Sequence, residues 1–113
     1  MDTKVITLDG YQTEAATLMR EMPEREAILM CTIGMCGEAG EVSELIKKWA
    51  FRGKQFDKTD LMLELGDVLW YLSNLANLHG LSLEDVAQAN LVKLEARKNN
   101  KEGAHAGTVH LTR

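Results

Sequence analysis

The sequence is short of the residues that mark several structural classes. It has one proline, two cysteines and few β-branched side chains. With so little to build strands from, the balance tilts towards helix. Cys31 and Cys36 lie five positions apart, so on one helix they diverge by about 140° and do not bridge. They read as free core thiols. No apolar run approaches the length of a membrane span, and the N-terminus has no basic-then-apolar leader pattern. The expectation is a soluble, cytoplasmic protein. A basic excess is missing too: the net charge is −4, and outside Lys47, Lys48, Arg52 and Lys54 no basic stripe appears. That argues against a general binder of nucleic-acid backbones. No repeat of solenoid period and no low-complexity tract is present. What remains is 45% hydrophobic and 27% charged over 113 residues, the profile of one globular domain, 1–113, with a modest core.

Punctuation and periodicity predict four helices. Asp9 is a plausible cap for a first helix over Tyr11–Met22, with apolar positions at Ala15, Leu18, Met19 and Met22 and Pro23 as its stop. A second helix opens on Glu24, Arg25 and Glu26 and runs to Arg52, where Gly53 ends it. Thr59 or Asp60 caps a third, which His79-Gly80 terminates. Ser82 with Asp85 opens a fourth, from Leu83 to about Lys98. The core is thus expected over about 9–98, with 99–113 a mobile tail or an arm ordered by a partner subunit. Strand signals are absent apart from Thr108–Leu111. The predicted fold is all-α, with four helices.

Chemistry enters with two acidic pairs, Glu38-Ala39-Gly40-Glu41 and Glu64-Leu65-Gly66-Asp67. Carboxylates three residues apart on a helix are separated by about 60° around the axis, on a shared face. In the third helix, Leu61, Met62, Leu63, Leu65, Val68, Leu69, Trp70, Leu72, Leu75, Ala76 and Leu78 cover most of the circumference, so burial on nearly all sides is expected. Its polar residues form one narrow stripe: Asp60, Glu64, Asp67, Tyr71 and Asn74. A second stripe, Glu38, Glu41 and Lys48, falls within about 80° on the second helix. Four carboxylates on neighbouring apolar helices repel unless cations sit between them, and Mg²⁺ or Mn²⁺ suits oxygen donors and bridges to substrate phosphates. Glu44 lies at the edge of this set. Gly34, Gly37, Gly40 and Gly66 recur around the acids and suggest close packing there, despite costing up to about 1 kcal/mol each in helix stability. On the fourth helix Asn90, Lys93 and Arg97 share one side, a group suited to phosphate oxygens. Trp49 and Trp70 read as core. His79, His105 and His110 lack metal-ligand spacing, which also weighs against a di-iron bundle built on Glu-x-x-His.

At these residues the chain resembles the MazG-type, all-α nucleoside triphosphate pyrophosphohydrolases. The resemblance runs through Gly37-Glu38-Ala39-Gly40-Glu41-Val42, Glu64-Leu65-Gly66-Asp67-Val68-Leu69-Trp70-Tyr71-Leu72, and Asn90-Leu91-Val92-Lys93-Leu94 with Arg97. It spans roughly residues 25–98, and the 22 residues between Glu41 and Glu64 suit it. Gly37 stands where many members carry an additional acid. The resemblance implies Glu38, Glu41, Glu64 and Asp67 as Mg²⁺ ligands, with Mn²⁺ as a substitute, and Asn90, Lys93, Arg97 and Tyr71 as substrate-binding residues. It implies a homodimer or homotetramer, a dimer or dimer of dimers, whose site is built from helices of more than one chain. Hydrolysis of a nucleoside triphosphate to monophosphate and pyrophosphate follows, with Glu41 and Glu38 as candidate catalytic carboxylates. The alternative is a non-catalytic helical oligomer that uses the acids for a structural cation or an acidic binding face. The chain is expected to form an obligate oligomer, because four short helices cannot bury the third helix alone.

Overall fold

The computed structural model describes residues 6–103, and among them every regular element is a helix: α1 Leu8–Thr17, α2 Glu24–Arg52, α3 Lys58–Leu78 and α4 Leu83–Gly103. Among the described residues no helix is long and apolar enough to cross a membrane.

The punctuation residues do most of what the sequence implies. Pro23 occupies the N-cap position of α2, with Glu24 and Glu26 in the first turn. Gly53 closes α2 in the left-handed region at φ 65°, and the Lys54 N–H reaches back to the Lys48 carbonyl at 3.3 Å. This bond belongs to the terminal pattern that glycine permits. Gly80, at φ 67°, follows the end of α3, and Ser82 Oγ accepts the Asp85 N–H at 3.0 Å to open α4.

Four boundaries differ from expectation. Thr7, not Asp9, caps α1, its hydroxyl accepting the Gly10 N–H at 2.9 Å. The helix also stops at Thr17 instead of running to Met22. There the Thr17 hydroxyl donates back to the Glu14 carbonyl at 2.7 Å, and the Leu18 and Met19 amides tighten onto Ala15 and Ala16. A β-branched, back-bonded residue of this kind weakens continued helix. Asp57, not Thr59 or Asp60, caps α3 by accepting the Thr59 N–H at 2.9 Å. Residues 99–103 continue α4 as helix, five residues beyond the expected end at Lys98. Residues 104–113, including Thr108–Leu111, lie outside the described residues.

Helices α2 and α3 form an antiparallel hairpin joined by a short loop, α1 lies along α3, and α4 packs chiefly on α1. The buried centre consists of Ala15, Ala27, Cys31, Ala76 and Leu83 with the polar Gln12, Ser73 and Asn74. Small side chains and amides dominate it, so the helices approach closely. Gly34 is the sharpest instance: a Cβ there would overlap the Tyr71 ring, which lies against the α2 backbone. The other glycines do not repeat this. Gly37, Gly40 and Gly66 have nothing within 4 Å of a Cβ position, so close packing around the acids is confined, within one chain, to Gly34.

Burial of α3 on nearly all sides is not achieved by one chain. Met62 and Leu63 are 67% and 63% exposed, although α3 packs against both α2 and α1. Helix α4 is exposed from Glu84 to Lys101 apart from half-buried Arg97, and the radius of gyration of 17.9 Å exceeds the roughly 13 Å of a compact chain of about this length. A single chain supplies four helices without closing them into a bundle.

The Gly34–Tyr71 contact predicts a change of sign. Gly34→Ala should destabilise the protein by about 1–3 kcal/mol through overpacking. In a Tyr71→Ala background the same change should stabilise by about 0.5–1 kcal/mol, because Ala is the better helix former. Denaturant unfolding of the four variants checks this, and equal signs in both backgrounds would exclude the contact as the cause.

Candidate metal centre

The α2–α3 hairpin carries the acidic pairs to one place. One carboxylate oxygen from each of Glu38, Glu64 and Asp67 lies within 4.8 Å of the others. The grouping follows from local geometry: α2 presents Glu38 towards α3, and Glu64 and Asp67 stand one turn apart on the facing side. Glu38 and Glu64 are half-buried between the helices and Asp67 is exposed.

The electrostatics are those of like charges held together. Glu38 is raised above the ordinary glutamate range by desolvation, by hydrogen bonding to Asp67, and by the charges of Asp67, Glu64 and Glu41. Glu64 is raised by desolvation, then by Glu41 and Asp67, with Asp60 contributing. Glu41 is therefore within electrostatic reach of both, although it is exposed and stands outside the tight trio. Asp60, from the same α3 stripe, extends the negative field along the hairpin.

Sequence reasoning missed Tyr11. Its hydroxyl is pushed up from the ordinary tyrosine value by burial and by the Asp67 carboxylate, so α1 brings an aromatic hydroxyl to the edge of the acids. No local spacing signals this, since Tyr11 and Asp67 are far apart in the chain. Tyr71 is half-buried, set on Gly34 and edge-on to Trp70 at 5.2 Å between centroids.

The fourth-helix group is placed elsewhere. Asn90 and Lys93 line an open cleft of about 500 Å³ with Leu81, Asp85, Val86 and Ala89. Arg97 lies two turns beyond Asn90 on the same side. Since α4 packs on α1 and on neither hairpin helix to a comparable extent, one chain does not bring these residues together with the carboxylates. Lys47 is paired with Glu44 at 3.3 Å, so that glutamate faces solvent and a lysine, not the acidic centre.

The donor set fits a hard divalent cation. Ligand oxygens on opposite sides of an octahedral Mg²⁺ stand about 4 Å apart, close to the spread of the three carboxylates. Both raised glutamates signal a negative field that a cation would neutralise.

Residues 26–101 match the family model of the MazG nucleotide pyrophosphohydrolase domain. The chain belongs to the MazG family. It is 43% identical over 79 residues to the Gene 37 protein of Mycobacterium phage L5, an alignment that covers 66% of this chain and 68% of that protein. No solved structure matches the chain. The MazG match contains all four carboxylates together with Tyr71, Asn90, Lys93 and Arg97, and it makes the protein a member of a hydrolase family.

Crowding of the acids sets the pH response of the metal-free protein. A carboxyl whose folded pKa is raised binds its proton more tightly in the native state, so its contribution to stability falls as pH rises from the ordinary glutamate value through the raised one. Glu64→Gln removes that penalty. Without metal it should be as stable as the parent or more so at neutral pH, with the difference vanishing towards about pH 4.3. With Mg²⁺ or Mn²⁺ the stabilisation conferred by binding should shrink. Melting curves across pH, with and without the ion, test both halves, and a variant that is less stable without metal would assign Glu64 to the fold.

Proposed function

We propose that the protein is a Mg²⁺-dependent nucleoside triphosphate pyrophosphohydrolase that converts a ribo- or deoxynucleoside triphosphate to its monophosphate and pyrophosphate, in control or housecleaning of the nucleotide pool. The observation that carries this is the convergence of Glu38, Glu64 and Asp67 in a chain of the MazG family. Glu38, Glu41, Glu64 and Asp67 would hold the cation, with Mn²⁺ as a substitute. When bound, such an ion supplies charge neutralisation of the triphosphate and a more acidic water.

The chain's own residues supply the rest. Glu41 is exposed beside the trio, and its carboxylate orients a water and accepts its proton. Glu38, one turn away, assists in holding that water. The water oxygen forms a bond to the α-phosphorus, the α–β anhydride bond breaks, and pyrophosphate leaves with the bridging oxygen. Lys93 and Arg97, with Asn90 and Tyr71, hold the phosphate oxygens and stabilise the departing charge.

This division of labour requires a second chain. Within one protomer α4 does not pack along the acidic hairpin, and Trp49, Met62 and Leu63 remain largely exposed. Both features support a homodimer or homotetramer in which α4 of one chain serves the carboxylates of another. The reading places the protein in the cytoplasm, where its substrates are.

Incubation with a panel of nucleoside triphosphates and Mg²⁺, followed by a pyrophosphate assay, tests the activity. The same assay on Glu64→Gln should read orders of magnitude lower. Lys93→Ala should lower kcat/KM by about 10- to 100-fold through lost charge-assisted bonds, while Mn²⁺ affinity measured by calorimetry stays unchanged. Loss of Mn²⁺ affinity in that variant would refute the separation of roles between helices. Light scattering at micromolar concentration should find no folded monomer.

A further inference from the structure

The start of α4 is held by α1 to an unusual degree. A helix leaves its first backbone N–H groups without partners, and here they are met one after another. Leu83 N–H donates to Gln12 Oε1 at 2.7 Å, Glu84 N–H to Asp9 Oδ1 at 3.2 Å and Asp85 N–H to Ser82 Oγ at 3.0 Å, after which Val86 N–H to the Ser82 carbonyl at 3.0 Å begins the helix's own ladder. Two of the three capping acceptors come from α1, more than 70 residues away in the chain.

Gln12 does more than cap. Its Nε2 donates to the Leu81 carbonyl at 2.7 Å, so one carboxamide grips the connection on both sides of Ser82. The clamp is itself anchored, because Asn77 Nδ2 donates to the Gln12 backbone carbonyl at 3.1 Å and to Asn74 Oδ1 at 3.3 Å. Gln12 is 6% exposed and Asn74 2%, so water cannot readily substitute for these bonds. Just before the clamp lies Gly80 in the left-handed region. Just after it, α4 leaves the packed part of the chain and is exposed along most of its length.

We propose that Gln12 is a positioning residue that fixes the angle at which α4 leaves the α1–α3 framework, and so fixes where Asn90, Lys93 and Arg97 stand. The functional half of this rests on the pyrophosphohydrolase reading; the mechanical half does not. A rigid helix magnifies any change at its base. Arg97 lies 14 residues beyond Leu83, about 21 Å along the axis at 1.5 Å per residue, so a tilt of about 15° at the clamp moves it by roughly 5 Å. Among the described residues no other helix packs on α4 to a comparable extent, so the angle is set at this base.

The test uses the full chain with one spin label on native Cys36, which is exposed while Cys31 is buried, and a second on Glu95→Cys. Labelled chains are diluted into excess unlabelled protein so that each distance is measured within one protomer. Gln12→Leu removes both bonds at similar size. Gln12→Glu keeps the acceptor for Leu83 but sets a carboxylate against the Leu81 carbonyl. The Cys36-to-95 distance distribution should broaden and shift by several ångström in Gln12→Leu and less in Gln12→Glu. On the unlabelled variants KM for the triphosphate should rise about tenfold or more, with Mn²⁺ affinity unchanged. A lower melting temperature with an unaltered distance distribution would overturn the proposal, leaving Gln12 a bond of the core. A displaced α4 with an unaltered KM would overturn its positioning role. Should both variants fail to fold, hydrogen exchange on the native chain decides: Leu83 N–H should be as protected as the amides of α3, and rapid exchange there overturns the clamp. A parent chain that hydrolyses no nucleotide would defeat the pyrophosphohydrolase reading while the distance result stood.

Discussion

Like-charge repulsion at the middle of the α2–α3 hairpin is the constraint around which the molecule is arranged. Glu38, Glu64 and Asp67 bring oxygens within 4.8 Å of one another, and Glu41 adds its field from the next turn. Such a group persists only if the helices bearing it are pinned together elsewhere. The pin is a layer of very small side chains, Ala27, Cys31 and Ala76, and the seating of Tyr71 on the bare backbone of Gly34. Close approach thus comes from one end of the hairpin, and the electrostatic strain sits towards its middle. A cation bound there would reverse the balance, turning the most repulsive part of the fold into a cross-link.

The two charge systems of the chain are mechanically separate. Acids ride on α2 and α3, which are braced against each other, whereas the Asn90, Lys93 and Arg97 group rides on α4, braced among the described residues chiefly at its base by α1. Helix α1 touches both systems through adjacent residues. Tyr11 feels the Asp67 carboxylate, and Gln12 holds the root of α4. The short first helix therefore links the acidic centre with the cationic arm.

Much of this was legible in the sequence where the relevant physics is local. Carboxylates three apart on a helix share a face whatever else happens, so the two acidic pairs could be paired before any coordinates. Pro23, Gly53 and His79-Gly80 mark helix ends through backbone restrictions that tertiary structure rarely overrides. Asp9 shows where such reasoning stops. It has the chemistry of a cap and is one, but for α4, whose start lies 75 residues away. Gln12 and Tyr11 were invisible for the same reason: each acts on a partner brought near only by the fold. The end of α4 was placed too early because Asn99, Asn100 and Lys101 carry no apolar period, yet helix propagates through these exposed residues. The glycines were over-read, since a recurring spacing does not tell a close contact from an empty one.

Those empty glycines give α2 an uneven stiffness along its length. Gly37 and Gly40 flank Glu38 and precede Glu41, with open space where their side chains would be. Each lowers local helix stability by up to about 1 kcal/mol relative to Ala, and Gly66 does the same between Glu64 and Asp67. The acids thus sit on the most yielding turns of both helices, while one end of the hairpin is held by close packing. A centre mounted this way can change its oxygen spacing by a few tenths of an ångström without disturbing the packing that holds α2 to α3. Were a cation held there, ions of slightly different radius would be accommodated by bending backbone, with no need to repack a core.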